Sequence, residues 1–205
     1  MNKVDYKKEW KHLYQPSSKE FQVVEVPDLN FLKVDGRGDP NTAEEYTQAV
    51  EALYAVAYKV KFLSKKTSRD FVVPPLEGLW WADDMEAFTG ARDKSQWEWT
   101  MMIMTPDWIT ADQVAAAREQ VQAQKDRPAL DKLRWEVFRE GLCVQILHRG
   151  SYDDEAPVLA ELHAEWMPAN SYTFNGLHHE IYLSDPRRVE PAKLKTILRQ
   201  PIRKA

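Results

Sequence analysis

A single cysteine, Cys143, leaves this chain of 205 residues unable to form an internal disulfide, which suits a reducing compartment. Set between Leu142 and Val144, the thiol reads as a small buried hydrophobe rather than a nucleophile. Glycine is scarce too. None of the seven falls in a Gly-x-Gly-x-x-Gly, P-loop or Gly-x-Ser-x-Gly pattern, so neither a phosphate cradle nor a nucleophile elbow is signalled. Long hydrophobic runs are missing: no stretch nears the ~18 apolar residues of a membrane span. The opening MNKVDYKKEWKHLY is charged and has no apolar signal core. The expectation is a cytoplasmic protein with no membrane partner. An excess of positive charge is absent as well. A net charge of −4 argues against direct nucleic-acid binding and suits cationic or neutral ligands.

What is present is aromatic. Eight tryptophans exceed what one core needs, so some are expected to line a surface or groove. The length fits one domain, since chains of ~100–200 residues usually form one.

Periodicity gives the elements. Phe21–Val26 and Phe31–Val34 read as strands, the second running into the turn Gly36-Arg37-Gly38-Asp39-Pro40. Thr42 with Glu45 has the form of a capping box. The stripe Tyr46, Val50, Leu53, Ala57 and Val60 behind it predicts a helix over Thr42–Val60 that serves the core. Asp83–Ser95 reads as a loop and Trp97–Met104 as a strand. Thr110 with Gln113 opens an Ala-rich helix. Pro128 suits the first turn of another, with Leu130, Leu133 and Val137 below it and Gly141 at its end. Leu142–Leu147 is a strand, Asp153–Trp166 a helix, Asn175-Gly176 a hairpin signal, and Leu177–Leu183 a strand. Pro191 predicts a last helix whose Lys193, Lys195, Arg199, Arg203 and Lys204 form a solvated basic face and tail.

Two stretches share a layout of strand, Arg-Gly turn, helix and a strand closed by proline, around Arg37-Gly38 and Arg149-Gly150. This predicts an α+β fold of two pseudo-symmetric βαββ units, with antiparallel strands, helices on one face and a central ligand cleft. The halves are placed at about 20–108 and 141–205, with a helical connection at about 109–140, in a single domain over 1–205. Side chains alternate across a strand, so His178, Glu180, Tyr182 and Ser184 share an open face, and His179 and Ile181 face the helices. Aligning Pro106 with Pro186 puts Glu98, Thr100, Met102 and Met104 on the equivalent open face. Glu180, Tyr182, Glu98 and Met102 then line one groove, with Trp80 or Trp81 approaching from the preceding strand and Tyr152 near its edge. A carboxylate among aromatics can pair with a cation or act as a general base, and burial is expected to raise its pKa. A solvated strand residue is the plainer reading of Glu180 on periodicity alone. A metal site is not expected from His178-His179-Glu180. Only His178 and Glu180 share a face, and no cysteine supports them. No cofactor is implied.

Several stretches resemble the GyrI-like small-molecule-binding family over nearly the whole chain: DYKKE at 5–9, FLKVDGRGDP at 31–40, LYAVAYKVKF at 53–62, PPLEGLWW at 74–81, HRGSY at 148–152 and HHEIYLSDPRRVEPAKLKTILRQP at 178–201. The resemblance implies two βαββ units around a ligand cleft. Some stand-alone relatives are cyclopropanoid cyclohydrolases, which open the strained ring of DNA-alkylating compounds with water. The family's cleft glutamate matches Glu180, and its aromatic positions match Trp80 and Tyr182. The expected function is therefore hydrolytic detoxification, with Glu180 and Tyr182 catalytic and Trp80, Trp81, Glu98, Met102, Tyr152 and His178 binding a small aromatic or cationic ligand. The alternative is a sequestering or sensor module that performs no chemistry.

Overall fold

The structure, a computed structural model, describes residues 3–82 and 93–205. Strand β1 (Lys3–Val4) enters two one-turn helices, α1 (Tyr6–Glu9) and α2 (Lys11–Tyr14), followed by β2 (Gln22–Val26) and β3 (Leu29–Arg37). The long helix α3 (Glu44–Lys66) comes next. Its expected Thr42–Glu45 box does not form. The Asp39 carbonyl takes the Thr42 and Ala43 amides at 3.1 and 2.7 Å, and Glu45 is drawn away to Lys132. Strand β4 (Asp70–Phe71) pairs in parallel with β1, and β5 (Leu76–Trp81) and β6 (Glu98–Thr105) follow. Most of the Asp83–Ser95 loop lies outside the described residues. Helix α4 (Ala111–Gln122) has its capping box, the Gln113 amide donating to Thr110 Oγ1 at 3.3 Å and the Thr110 amide to Gln113 Oε1 at 3.1 Å.

The helix expected after Pro128 is a correction. Pro128–Leu130 makes one 3₁₀ turn, and Val137 lies in a strand, β7 (Arg134–Phe138). The connection at 109–140 is thus only partly helical, because the open edge of β3 pairs with β7 and that pairing outweighs the local pattern. Gly141, at φ +71°, begins β8 (Gly141–Arg149) rather than ending a helix. The second helical segment starts as a 3₁₀ turn at Tyr152–Glu155. It becomes α5 (Ala156–Ala160), widens into a π-helical turn at Glu161–Trp166 and closes over Met167–Ala169. Strands β9 (Tyr172–Phe174), β10 (His178–Tyr182) and β11 (Lys195–Lys204) complete the fold. Asn175-Gly176 is not a hairpin, since β9 pairs with the end of β11. The expected last helix is also a strand. Pro191 opens a three-residue 3₁₀ turn, and Arg199, read as a solvated residue, is 3% exposed in the sheet interior.

The main sheet runs β2-β8-β11-β10-β5-β6-β3-β7, with every neighbouring pair antiparallel. Read from either end the order is the same kind: an outer strand, then the first, third and second strands of a β-α-β-β run. Thus β5 corresponds to β10 and β6 to β11. The sequence alignment of β6 with β10 matched the wrong strands.

Strand alternation sorts the core into two sides. On one, Leu53, Val56 and Val60 of α3 pack against Leu32, Val34, Trp99, Met101 and Ile103, with Val114 and Ala117 of α4 behind. On the other, Tyr6, Leu13 and Tyr14 of the N-terminal helices cover Leu79, Met102, Met104, Ile181 and Ile197. Helices therefore lie on both faces, and each buried aliphatic side chain contributes ~1.5–3 kcal/mol. Among the described residues no helix is long and apolar enough to cross a membrane.

Candidate functional site

Strands β10 and β5 meet at the centre of the sheet, and their register sets which side chains can touch. Trp80 stands opposite His178, Gly78 opposite Glu180, and Leu76 opposite Tyr182. These residues face the α3 side together with Trp97, Trp99, Met101 and Ile103. Between them, α3 and the 152–166 segment lies a cavity of about 860 Å³, within the range for small-molecule sites. Its walls are aromatic: Tyr46 and Tyr54 from α3, Trp80 and Trp97 from the sheet, and Tyr152 and Tyr182. The Trp80 and Trp97 rings meet edge-on at 5.7 Å between centroids, and Tyr152 and Tyr182 at 5.8 Å.

A hydrogen-bonded chain crosses this cavity. Trp80 Nε1 donates to the Tyr182 hydroxyl at 2.8 Å, and that hydroxyl donates to Glu180 Oε2, also at 2.8 Å. His178 Nε2 lies 3.2 Å from Glu180 Oε1. Gly78 makes room for the chain. A Cβ there would sit 2.8 Å from Trp80 Nε1 and 3.1 Å from the Tyr182 hydroxyl. Burial by itself raises the Glu180 pKa, but His178, Tyr182 and Glu155 outweigh it, and the carboxyl is held below its ordinary value. The raised pKa expected from an aromatic setting is thus reversed, because donors to a carboxylate favour its charged form. Burial and the neighbouring Glu180 charge push the Tyr152 phenol up to about 12, so it stays protonated at neutral pH.

Of the residues expected to form the groove, Trp80, Tyr152, Glu180 and Tyr182 line the cavity, and His178 sits against Glu180 beneath it. Trp81, Glu98 and Met102 do not. Trp81 and Glu98 are cross-strand partners on the opposite face, where they line a shallow groove with Asp35 and Arg134. Met102 is fully buried beside Leu79 and Ile181. The error is one of parity: matching β6 to β10 shifted its alternation by one residue and turned every side chain over. The cleft face is also the face covered by α3, not an open one. That is why Tyr46 and Val50, read as core, line the cavity. Sequence reasoning also missed Glu155 and His163. Glu155 resembles the acid of any helix first turn. His163 belongs to the π-helical turn, and π turns occur often at functional sites. Burial and His178 bring the His163 pKa down to about 4, leaving the ring neutral.

Beneath the seam, on the other face, lies a buried ionic network. His179 Nδ1 is 2.7 Å from Glu140 Oε1 and its Nε2 is 2.9 Å from Glu77 Oε2, while Arg199 Nη1 donates to Glu140 Oε2 at 3.3 Å. Arg199 also donates to Gln145 and to the Leu13 carbonyl, which ties the N-terminal segment to the sheet. Among the described residues no cluster of three or more His, Cys, Asp or Glu is placed to hold a metal ion.

An antiparallel sheet with helices over a central aromatic cleft defines a small-molecule-binding α+β protein. The chain belongs to the GyrI-like family, matching the GyrI-like small molecule binding domain over residues 19–203. Among solved structures it is similar to an uncharacterized conserved protein from Listeria innocua (39% identity, TM-score 0.89, covering 98% of this chain and 100% of that one). It is likewise similar to a hydrolase from Listeria innocua (39% identity, TM-score 0.85, covering 98% and 100%). The EcmrR C-terminal domain shares the fold at 11% identity and a TM-score of 0.57, over 91% of this chain and 98% of that one. No curated protein matches the sequence.

Proposed function

We propose that the chain is a hydrolase of ring-strained, electrophilic small molecules, cyclopropanoid DNA-alkylating compounds among them, and that it detoxifies them in the cytoplasm. One observation carries this reading: an ionised carboxylate, Glu180, opens 13% of its side chain into an aromatic cleft while Tyr182 and His178 fix its orientation. The 39% identical Listeria innocua hydrolase supports it. In this mechanism Trp80, Trp97, Tyr152 and Tyr46 hold a flat ligand and displace bulk water. Glu180 takes a proton from a bound water as the water oxygen bonds to the strained carbon, while the ring carbon–carbon bond breaks and its electron pair passes to the conjugated electron-accepting group of the substrate, which is then protonated from solvent. Relief of ring strain drives the step, so positioning with ~10²–10⁴-fold base catalysis suffices. Tyr182 keeps the carboxylate aimed at the water.

The test is turnover of a spirocyclopropyl cyclohexadienone by the parent and by Glu180→Gln at saturating substrate. Glu180→Gln is expected to keep binding and lose most turnover. Equal rates in the two proteins exclude the base. The second reading is a sequestering or sensing module for aromatic or organic cationic ligands. It is favoured by the Glu180 carboxylate set among π faces, which suits a cation. Protection that stays stoichiometric, with affinity lost only for cations in Glu180→Gln, selects it.

A further inference from the structure

The cleft has a second end, remote from Glu180, and a cation stands there. Helix α3 runs along the cavity from Tyr46, whose ring centroid lies 6.3 Å from that of Trp80, to Tyr58. At the helical rise that stretch is about 18 Å long. Tyr54 and Tyr58 carry the aromatic wall outward, their centroids 6.4 Å apart, and Tyr58 is 48% exposed at the mouth. The N-terminal segment reaches the same end. One turn past Tyr58, Lys61 Nζ donates to the Phe71 carbonyl at 2.6 Å. Phe71 pairs with Val4, and the Val72 amide donates to the Val4 carbonyl at 2.8 Å. Lys7 follows in α1 and lines the cavity together with Val73, Pro74 and Pro75.

The Lys7 backbone is held in place. Its amide donates to Asp5 Oδ1 at 3.2 Å, and Gln15 Nε2 donates to its carbonyl at 2.7 Å. Its side chain is half-buried, and among the described residues its ammonium has no carboxylate partner. The other charges along the cavity are matched: Lys94 with Asp153 at 3.0 Å, Arg187 with Asp185 at 3.0 Å, and Glu51 with Lys125 at 3.9 Å. Asp5 goes to Lys8, at 3.7 Å. A partly desolvated cation without a counter-ion attracts an anion more strongly than a fully solvated one does. We propose that Lys7 reads the far end of the ligand, so that the cleft takes elongated, flat aromatic compounds with a carboxylate or similar anionic group at the end remote from Glu180. The proposal rests on the reading of this cleft as the ligand site and names the substrate class for it, whether the ligand is hydrolysed or only bound. The two charges give the cleft a direction. Glu180 repels an anionic tail from the inner end, and Lys7 draws it to the mouth, which leaves the uncharged ring turned inward. Lys7 touches no reacting atom and acts on specificity alone.

Calorimetric titration with p-terphenyl carboxylate and with its neutral isostere, p-terphenyl carboxamide, tests this without any turnover. The parent protein is expected to bind the carboxylate about tenfold more tightly at low ionic strength, a ratio that one charge-assisted hydrogen bond supplies. Added salt should narrow the ratio. In Lys7→Met the ratio is expected to fall to within about twofold, with carboxamide affinity and Tm unchanged. Lys7→Arg should keep most of the preference. Lys8→Met removes an exposed neighbouring charge and should leave the ratio as in the parent. Equal affinity of the parent for the two probes overturns the proposal, as does binding of neither. A preference that survives in Lys7→Met overturns it too. If Lys7→Met does not fold, Lys7→Gln and the salt dependence of the parent decide. Turnover of the spirocyclopropyl cyclohexadienone tests the hydrolase reading separately. A parent that prefers the carboxylate but opens no ring loses that reading and keeps this one, and a parent that opens the ring without any charge preference does the reverse.

Discussion

Tyr182 lies two residues beyond Glu180 on the same face of β10, and its hydroxyl donates to Glu180 Oε2 at 2.8 Å. Alternation along the strand makes this contact possible, and the strand's rigidity fixes it. Tyr182→Phe keeps the ring and removes the donor. A hydrogen bond to a charged group is worth ~1.5–3 kcal/mol, so turnover is expected to fall roughly 10-fold or more, with KM for a planar substrate little changed. Without the donor the Glu180 pKa rises, and the acid limb of the pH–rate profile moves to higher pH. A profile that superimposes on the parent's excludes this role.

Gly78 is expected to tolerate no side chain. Its Cβ would meet the rigid Trp80 indole at 2.8 Å and Met101 Sδ at 3.2 Å. Gly78→Ala must push Trp80 off Tyr182, with a destabilisation of ~1–3 kcal/mol from overpacking and loss of activity. Denaturant melts together with ligand titration check both effects. A variant with parent stability and affinity removes the proposed tightness.

The two aromatic walls should respond differently. Trp80 is 4% exposed and packs on Trp97 and Tyr46, so Trp80→Ala is expected to cost ~3–5 kcal/mol of stability as well as affinity. Trp80, expected from the sequence to bind ligand, is thus part of the core as well. Tyr152 is only half-buried at the cleft edge. Tyr152→Ala should weaken binding of flat aromatics by ~1–3 kcal/mol with a much smaller change in Tm. Calorimetry and thermal melts on the same samples separate the cases, and equal losses of Tm would show Tyr152 to be core.

The buried network beneath the seam predicts how stability varies with pH. Burial alone would lower the His179 pKa, but Glu140 and Glu77 raise it from 6.5 to about 9. Burial alone would raise Glu140, but His179 and Arg199 bring it from 4.5 down to about 2. The His179 contribution is fully present below about pH 6.5 and is lost as pH rises through about 9. The Glu140 contribution is fully present above about 4.5 and is lost as pH falls toward 2. Stability should therefore be flat between about pH 5 and 6 and fall by on the order of 3 kcal/mol toward pH 9.5. Urea midpoints at pH 6 and pH 9.5 test it, and equal midpoints would sink the assignment.

The sequence alone determined the fold class, the strands Gln22–Val26, Gly141–Arg149 and His178–Tyr182 to within a few residues, helix α3, the Thr110 capping box, and the place of Glu180 and Tyr182 together on one face. Apart from the fold class, which came from the repeated layout of the two halves, each of these rests on short-range periodicity or a local hydrogen bond, which neighbouring residues carry by themselves. Tertiary structure decided the rest. The β7 and β11 segments follow proline signals that suit helix starts, yet strand edges elsewhere in the sheet claimed them. The cleft's far wall comes from α3 and from Glu155, which are distant in sequence from β10. Which face of β6 meets the ligand depended on a register between strands, and a slip of one residue exchanges Trp97 and Trp99 for Glu98 and Met102. Even the direction of the Glu180 pKa shift needed the fold. Burial alone raises it, and only the neighbours the fold assembles around it, His178 first, bring it down.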